Sequence, residues 1–360
     1  MTILTGVDLP LGSRGGSVEL LRDLYLDPAA PLKADAFMLT GGGRAQPDGP
    51  ILLDVAGKQL AGEGFWAYVK DLARAIERRF PQDRYDLLHL QHLAFGATPA
   101  LLRAFPGHPR LALVHGTDLI FAADHPTQLQ VLRDSARAAD AIVVPTAAMA
   151  DHLRRLVNVE AGRIVHIPWG VPDRLLTSPP PRGDRADGEA LRLLYAGRLA
   201  AEKAPLPLLR TLADMDGVVL SVAAPAAEYA ALAARADLSR VRYLGWLPRP
   251  SLWENFAGHD LLIVPSTRLE AFGLVAVEAQ ACGLPVLYRP VPGLVEVLGE
   301  SAIAVEASGS VRAAAAAVAR LRRDPGELRH YRGAGLANAA RFPLSGTARR
   351  LHRLSRELIG

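Results

Sequence analysis

A chain of 360 residues, 50% hydrophobic and 22% charged, has globular composition, and its length exceeds what one hydrophobic core usually organises, so two domains are expected. The 41 basic residues outnumber the 37 acidic ones by only four, are scattered and lack interleaved aromatics, which argues against a nucleic-acid surface and leaves a mild attraction for anions. One cysteine, Cys282, excludes an intramolecular disulfide framework, and with no signal-peptide pattern or uninterrupted apolar span of ~20 residues the expected location is the cytoplasm, without stable membrane insertion.

Taken in order, residues 2–7, 36–40, 51–55, 86–91, 111–115, 141–145 and 164–168 read as strands, with helices starting near Ser17, Gly64, Thr98, Asp124 and Thr146. Phe65, Val69, Leu72, Ile76 and Phe80 show the helical period clearly. Residues 178–189 are proline-rich, charged and aperiodic, as a linker is. A second alternation follows, with strands at 191–196, 218–223, 241–245, 261–264, 285–288 and 302–305 and helices from Pro205, Pro225, Ser251, Gly273 and Gly293; beyond Ser308 the chain reads as helical. Strand and helix alternating twice predicts two α/β domains with parallel sheets and ligands at the carboxyl ends of the strands. The expected boundaries are 1–172, a linker at 173–190, 191–343, and a closing helix at 344–360.

The most legible chemistry lies in Glu270-Ala-Phe-Gly-Leu-Val-Ala-Val-Glu278. Glu270 stands at a strand's carboxyl end, and the amides near Phe272, Gly273, Leu274 and Val275 open a helix, where unpaired N–H groups and the dipole favour a phosphate. Glu278 sits on that helix within reach of a ribose. A helix-capping carboxylate and a solvated helical glutamate would share this spacing. The segment Gly197-Arg-Leu-Ala-Ala-Glu-Lys203 follows another strand and offers two cations, Arg198 and Lys203. The loop ending in Gly15 and Gly16 joins the first strand to a helix that Ser17 would cap, and its glycines permit close approach to a phosphate. Gly41-Gly-Gly-Arg44 lacks the Gly-x-Gly-x-x-Gly spacing, which argues against a nicotinamide dehydrogenase. His89 and His92 alternate on a strand with no carboxylate cluster, so they argue against a metal site.

The two glutamates seven residues apart, followed by Ala281-Cys-Gly-Leu-Pro-Val286, resemble the signature of the family 4 retaining glycosyltransferases, as does the Arg198 and Lys203 segment. Ala204 stands where that family's motif has glycine, and Trp169, in Ile167-Pro-Trp-Gly-Val171, where it has asparagine. The resemblance implies the GT-B fold: two Rossmann-like domains with parallel sheets facing a cleft and a C-terminal helix crossing back to the first. It also implies that Arg198 and Lys203 neutralise the departing diphosphate without a metal, that Glu270 orients the sugar, that Glu278 takes the ribose, and that Leu247 lies in a segment reading the base through its backbone. By the same resemblance His115 matches a histidine that contacts the donor sugar near the reacting centre.

The function expected is thus transfer of a hexose or amino-hexose from a UDP-type donor to a small acceptor's hydroxyl, with retention and no cofactor. Asp118, Asp124, His92 and Trp169 are the candidate acceptor contacts, and the two aspartates suit a cationic aminocyclitol of the aminoglycoside-antibiotic type. A lipid acceptor met through Phe65, Trp66, Arg74, Arg78 and Arg79, a nucleotide-sugar epimerase and a non-catalytic binder are the competing readings.

Overall fold

The computed structural model describes residues 1–41, 49–183, 188–305 and 310–360, so Gly42, Gly43 and Arg44 of the second glycine cluster lie outside it. The chain forms two compact units, one of residues 1–169 with 344–360 and one of residues 170–343.

In the first unit the strands are β1 (Ile3–Pro10), β2 (Ala34–Leu39), β3 (Ile51–Leu53), β4 (Leu87–Leu90), β5 (Arg110–Leu113), β6 (Ala141–Val144) and β7 (Ile164–His166). Among the described residues they form one sheet in the order β3-β2-β1-β4-β5-β6-β7, all pairs parallel. Leu87, Leu88 and Leu90 of β4 and Phe37 of β2 are buried, as expected for strands covered on both faces. Thr5 of β1 and His89 of β4, opposite each other in register, break that apolar run while fully buried. The helix Gly62–Arg79 buries Phe65, Val69, Leu72 and Ile76, the period read in the sequence. Trp66 stands exposed on its other face among charges of both signs, Lys70, Arg74, Asp71 and Glu77, so no single-sign membrane-facing stripe forms there.

In the second unit the strands are β8 (Leu191–Ala196), β9 (Val218–Ala223), β10 (Val241–Gly245), β11 (Leu261–Val264), β12 (Val286–Tyr288) and β13 (Ile303–Ala304). They form a parallel sheet in the order β10-β9-β8-β11-β12-β13. In both sheets the strand order reverses once, between β1 and β4 and between β8 and β11. Loops leaving the carboxyl ends there part to opposite sides and open a crevice.

Three local expectations need correction. Gly15, not Ser17, caps the helix Gly16–Leu21, and no side chain bonds to that cap. The helix expected from Asp124 starts at Pro126 and runs to Ala138, but a further helix, Thr117–Ala123, precedes it unexpectedly, and Pro126 separates the two. The segment read as linker holds a helix, Asp173–Thr177, and Arg182 donates to the Phe256 carbonyl at 2.9 Å, so its described part is packed rather than free. The final helix, Leu344–Ile359, belongs to the first unit, where Ser355 meets His89 at 2.8 Å and the Thr347 hydroxyl donates to the Pro168 carbonyl at 2.8 Å.

The base of the second sheet is clamped by Asp260. Its carboxylate accepts the Arg192 amide at 2.9 Å and that guanidinium through Nε at 3.0 Å and Nη2 at 2.9 Å. Burial opposes its ionisation, but these bonds prevail and hold the carboxyl below its ordinary value. Asp260→Asn is expected to cost about 2 kcal/mol at neutral pH, the order of a lost charge-assisted bond at a buried site. Because the folded carboxyl titrates below the unfolded value of about 3.9, the contribution is present above that pH and fades as pH falls through the folded value. Urea denaturation of both proteins should therefore show a gap at pH 7 that narrows below about pH 4.

Candidate functional site

The second unit assembles its cluster on the loops leaving β8 and β11. Glu270 projects from the loop after β11, and Oε1 receives both the Lys203 ammonium, in an ion pair, and the Ser266 hydroxyl at 2.7 Å. The loops themselves are joined, since the Thr267 amide donates to the Glu202 carbonyl at 2.7 Å. The Glu270 amide donates to the Pro292 carbonyl at 3.2 Å, and Gly293 lies directly behind it with φ +89°. A Cβ at Gly293 would stand 1.8 Å from the Glu270 carbonyl oxygen, so only glycine lets the two loops meet this closely. Lys203, expected on a diphosphate, thus meets the catalytic candidate directly, while Arg198 is exposed. Ala204 is buried and outside the left-handed region, since Phe95 is the only non-glycine residue with positive φ among those described; the turn simply does not require glycine.

Gly273 caps the helix Leu274–Ala281 in a left-handed conformation. The first intrahelical bond runs from the Ala276 amide to the Gly273 carbonyl, so the amides of Leu274 and Val275 precede it and form an anion-favouring end. The Phe272 ring is buried edge-on against Phe342 at 5.2 Å, which leaves only its backbone for a ligand. Glu278 differs from expectation. It is 4% exposed, with Oε1 held by the Arg249 guanidinium, Nε at 3.0 Å, and Oε2 by the Trp253 indole at 3.2 Å. An unpaired carboxylate at that depth would be costly, and the Arg249 pairing offsets that cost. Leu247 stands half-buried two residues before Arg249, on the loop that delivers this partner.

In the first unit the loops after β4, β5 and β7 bring His92, His115 and Trp169 together. The His115 ring contacts that of His92, at 4.8 Å, and that of Trp169, stacked at 5.7 Å, and its Nε2 meets Gln91 Oε1 at 3.1 Å. Burial, then the neighbouring His92 ring, hold His115 well below the ordinary imidazole value, so it is neutral at pH 7. His92 is pushed down to about 3 by burial and by Lys58. Trp169 is buried at the His115 face, and its bulk occupies space an amide would have left open. Gly15 stands at the end of the loop after β1 with φ +142°, and Gly16 begins the helix.

Asp118 does not serve as an exposed cation contact. It is wholly buried in the first turn of the helix Thr117–Ala123, where its carboxylate accepts the Gly116 and Leu93 amides at 2.9 Å each. Burial, countered by those amides, pushes its carboxyl up to about 6. It ties the loop after β4 to the loop after β5 and so sets where His115 stands. Asp124 closes the same helix at an exposed position, roughly 9 Å along its axis from Asp118. His89 is withdrawn from any ligand role, because Tyr25 and Ser355 occupy its two ring nitrogens at 2.7 and 2.8 Å.

Sequence reasoning missed Ser266, Arg249, Trp253, Gly293 and Gln91. Ser266 alone carried a signal, four residues before Glu270 in the same strand-end loop; the others reach their partners from distant segments. A part-buried charge pair was also missed, in which the buried Asp8 near the end of β1 meets Lys58 at 3.0 Å and takes the Gly96 amide at 3.0 Å.

Residues 33–175 match the family described as Glycosyltransferase Family 4, and residues 182–335 match that described as Glycosyl transferases group 1. The chain is 34% identical over 316 residues to D-inositol 3-phosphate glycosyltransferase 1 of Catenulispora acidiphila, covering 78% of this chain and 74% of that one. It is 29% identical over 315 residues to the D-inositol 3-phosphate glycosyltransferase of Thermobispora bispora, covering 79% and 73%. A sucrose-phosphate synthase from Thermosynechococcus elongatus superposes with a TM-score of 0.81 at 22% identity over 99% of this chain and 98% of that one. Anabaena HepE, solved in complex with UDP-glucose, superposes with a TM-score of 0.77 at 20% identity over 99% and 100%. These two likenesses are of fold, and that fold is GT-B. With both halves matched and a relative of such identity and coverage, the chain belongs to the family 4, group 1 glycosyltransferases.

Proposed function

We propose that this glycosyltransferase moves a hexose from a UDP-linked donor to a hydroxyl of a small cyclitol acceptor, with retention at the anomeric carbon and without a metal. The observation that carries the reading is the Glu270, Lys203 and Ser266 cluster beside the glycine-capped helix end at the second sheet's switch point. Oε1 of Glu270 is fixed by its two partners, so Oε2 would accept from sugar hydroxyls. The Leu274 and Val275 amides would take phosphate oxygens, and Arg198 with Lys203 would neutralise charge as it grows on the leaving group. The bond between the anomeric carbon and the diphosphate oxygen breaks, with its electron pair going to that oxygen. The acceptor oxygen bonds to the same carbon from the same face, and its proton passes to the departing phosphate oxygen.

The cyclitol comes from the relatives, named for D-inositol 3-phosphate. A cationic aminocyclitol loses its main support once Asp118 lies in the interior. With UDP-glucose as donor, mass spectrometry of products should show a glycoside from inositol 3-phosphate or free inositol in preference to an aminocyclitol; an aminocyclitol glycoside as the main product would reverse that choice, and an isomerised donor with no glycoside would favour the epimerase.

Glu270→Gln keeps size and loses charge at a part-exposed loop position, so kcat/KM should fall about a hundredfold or more while the thermal transition stays near that of the wild type. Activity near wild type would remove Glu270 from the site. Turnover of the purified enzyme should also persist after exhaustive dialysis against EDTA, because chain cations supply the charge; turnover restored only by a divalent ion would contradict this.

A further inference from the structure

The buried polar groups of β1 and β4 form a connected hydrogen-bond chain whose proton directions follow from its ends. A backbone carbonyl only accepts, so the Thr5 hydroxyl, 2.7 Å from the His89 carbonyl oxygen, is the donor there and turns its lone pairs to Gln91. Gln91 meets that hydroxyl oxygen at 2.8 Å and must present its amide N–H, which fixes Oε1 on the opposite side, toward His115 Nε2 at 3.1 Å. An amide oxygen also only accepts, so His115 carries its proton on Nε2.

The neighbouring bonds of His89 are directed by a second carbonyl in the same way. The Ser355 hydroxyl donates to the Leu351 carbonyl at 2.7 Å, so it accepts from His89 Nε2–H at 2.8 Å, and His89 Nδ1 accepts the Tyr25 phenol proton at 2.7 Å. The His89 carbonyl end thus places the Gln91 nitrogen on the Thr5 side.

We infer that Gln91 is a positioning residue that locks His115 in the Nε2–H tautomer, leaving Nδ1 as an acceptor for a substrate hydroxyl. Among the described residues His115 makes no other hydrogen bond. A group meeting Nδ1 has to bring a proton, which suits a sugar or polyol hydroxyl and disfavours a bare phosphate or carbonyl oxygen. The role toward a hydroxyl rests on the glycosyltransferase reading; the tautomer does not. The groups facing His115 are the His92 and Trp169 rings and the Gln91 amide, with Lys58 acting on His92 and the Asp118 carboxylate engaged by the Gly116 amide.

The direct test is long-range proton-nitrogen NMR of protein labelled with 15N-histidine, with His115 assigned by the signals lost in His115→Asn. The wild type should show a protonated Nε2 and a bare Nδ1 throughout pH 6 to 8, a window above the lowered His115 value. A protonated Nδ1 in the wild type overturns the inference without any variant needing to fold. Gln91→Leu should mix the tautomers and lower kcat/KM about tenfold, the loss of one buried hydrogen bond. Gln91→Glu should preserve the tautomer but stabilise the imidazolium, moving the acid limb of the pH profile up by about one unit or more. An unmixed tautomer with wild-type kinetics in Gln91→Leu also overturns the inference, whereas absence of product from the wild type strikes the glycosyltransferase reading alone.

Discussion

In the proposed reaction Glu270 has to be an anion aimed in one direction, and a carboxylate on a strand-end loop is not aimed by itself. Lys203 keeps its charge balanced, Ser266 fixes the same oxygen, and Gly293 lets the backbone behind it close to a distance no side chain permits. Three segments of the chain, around Lys203, Ser266 to Glu270, and Gly293, therefore converge on one carboxylate. The strand order explains why they can. At the reversal between β8 and β11 the loops leave side by side yet part to opposite faces, so residues about 70 positions apart meet at a single point.

The first unit solves a related problem with neutral groups. His115 is held by contacts with the His92 and Trp169 rings and by Gln91 at Nε2, and Asp118 anchors the loop that carries it. Thr5 of β1, Gln91 just past β4, Tyr25 and Ser355 supply the buried hydroxyls and amide of that network, in surroundings otherwise largely apolar. Every one has a partner, which is why the interior tolerates them. The chain ends at the helix Leu344–Ile359, and Ser355 makes that helix the last link of the network.

The strands and most helices were legible because apolar runs and periods of 3.6 survive without tertiary information. Glu270 and Lys203 were legible because local motifs carry them. What escaped was of one kind: which groups a charge meets across the fold. Glu278 read as a ribose contact because its spacing was visible, while its partner Arg249 begins a helix nearly thirty residues away and had no motif. Asp118 read as an acceptor contact because polar residues after strands commonly face ligands, but a carboxylate two residues past a glycine can turn back on its own helix amides. Pro126 did announce a helix start, and the short helix before it was overlooked because its seven residues span barely two turns.

The account's central claim is transfer of a sugar with retention at a site organised by Glu270. Its most direct test is the proton NMR spectrum of the glycoside formed from an α-linked UDP-hexose, taken early in the reaction. The account predicts a product whose anomeric coupling is that of the α linkage. A β-linked product, or release of free hexose in place of any glycoside, would contradict it.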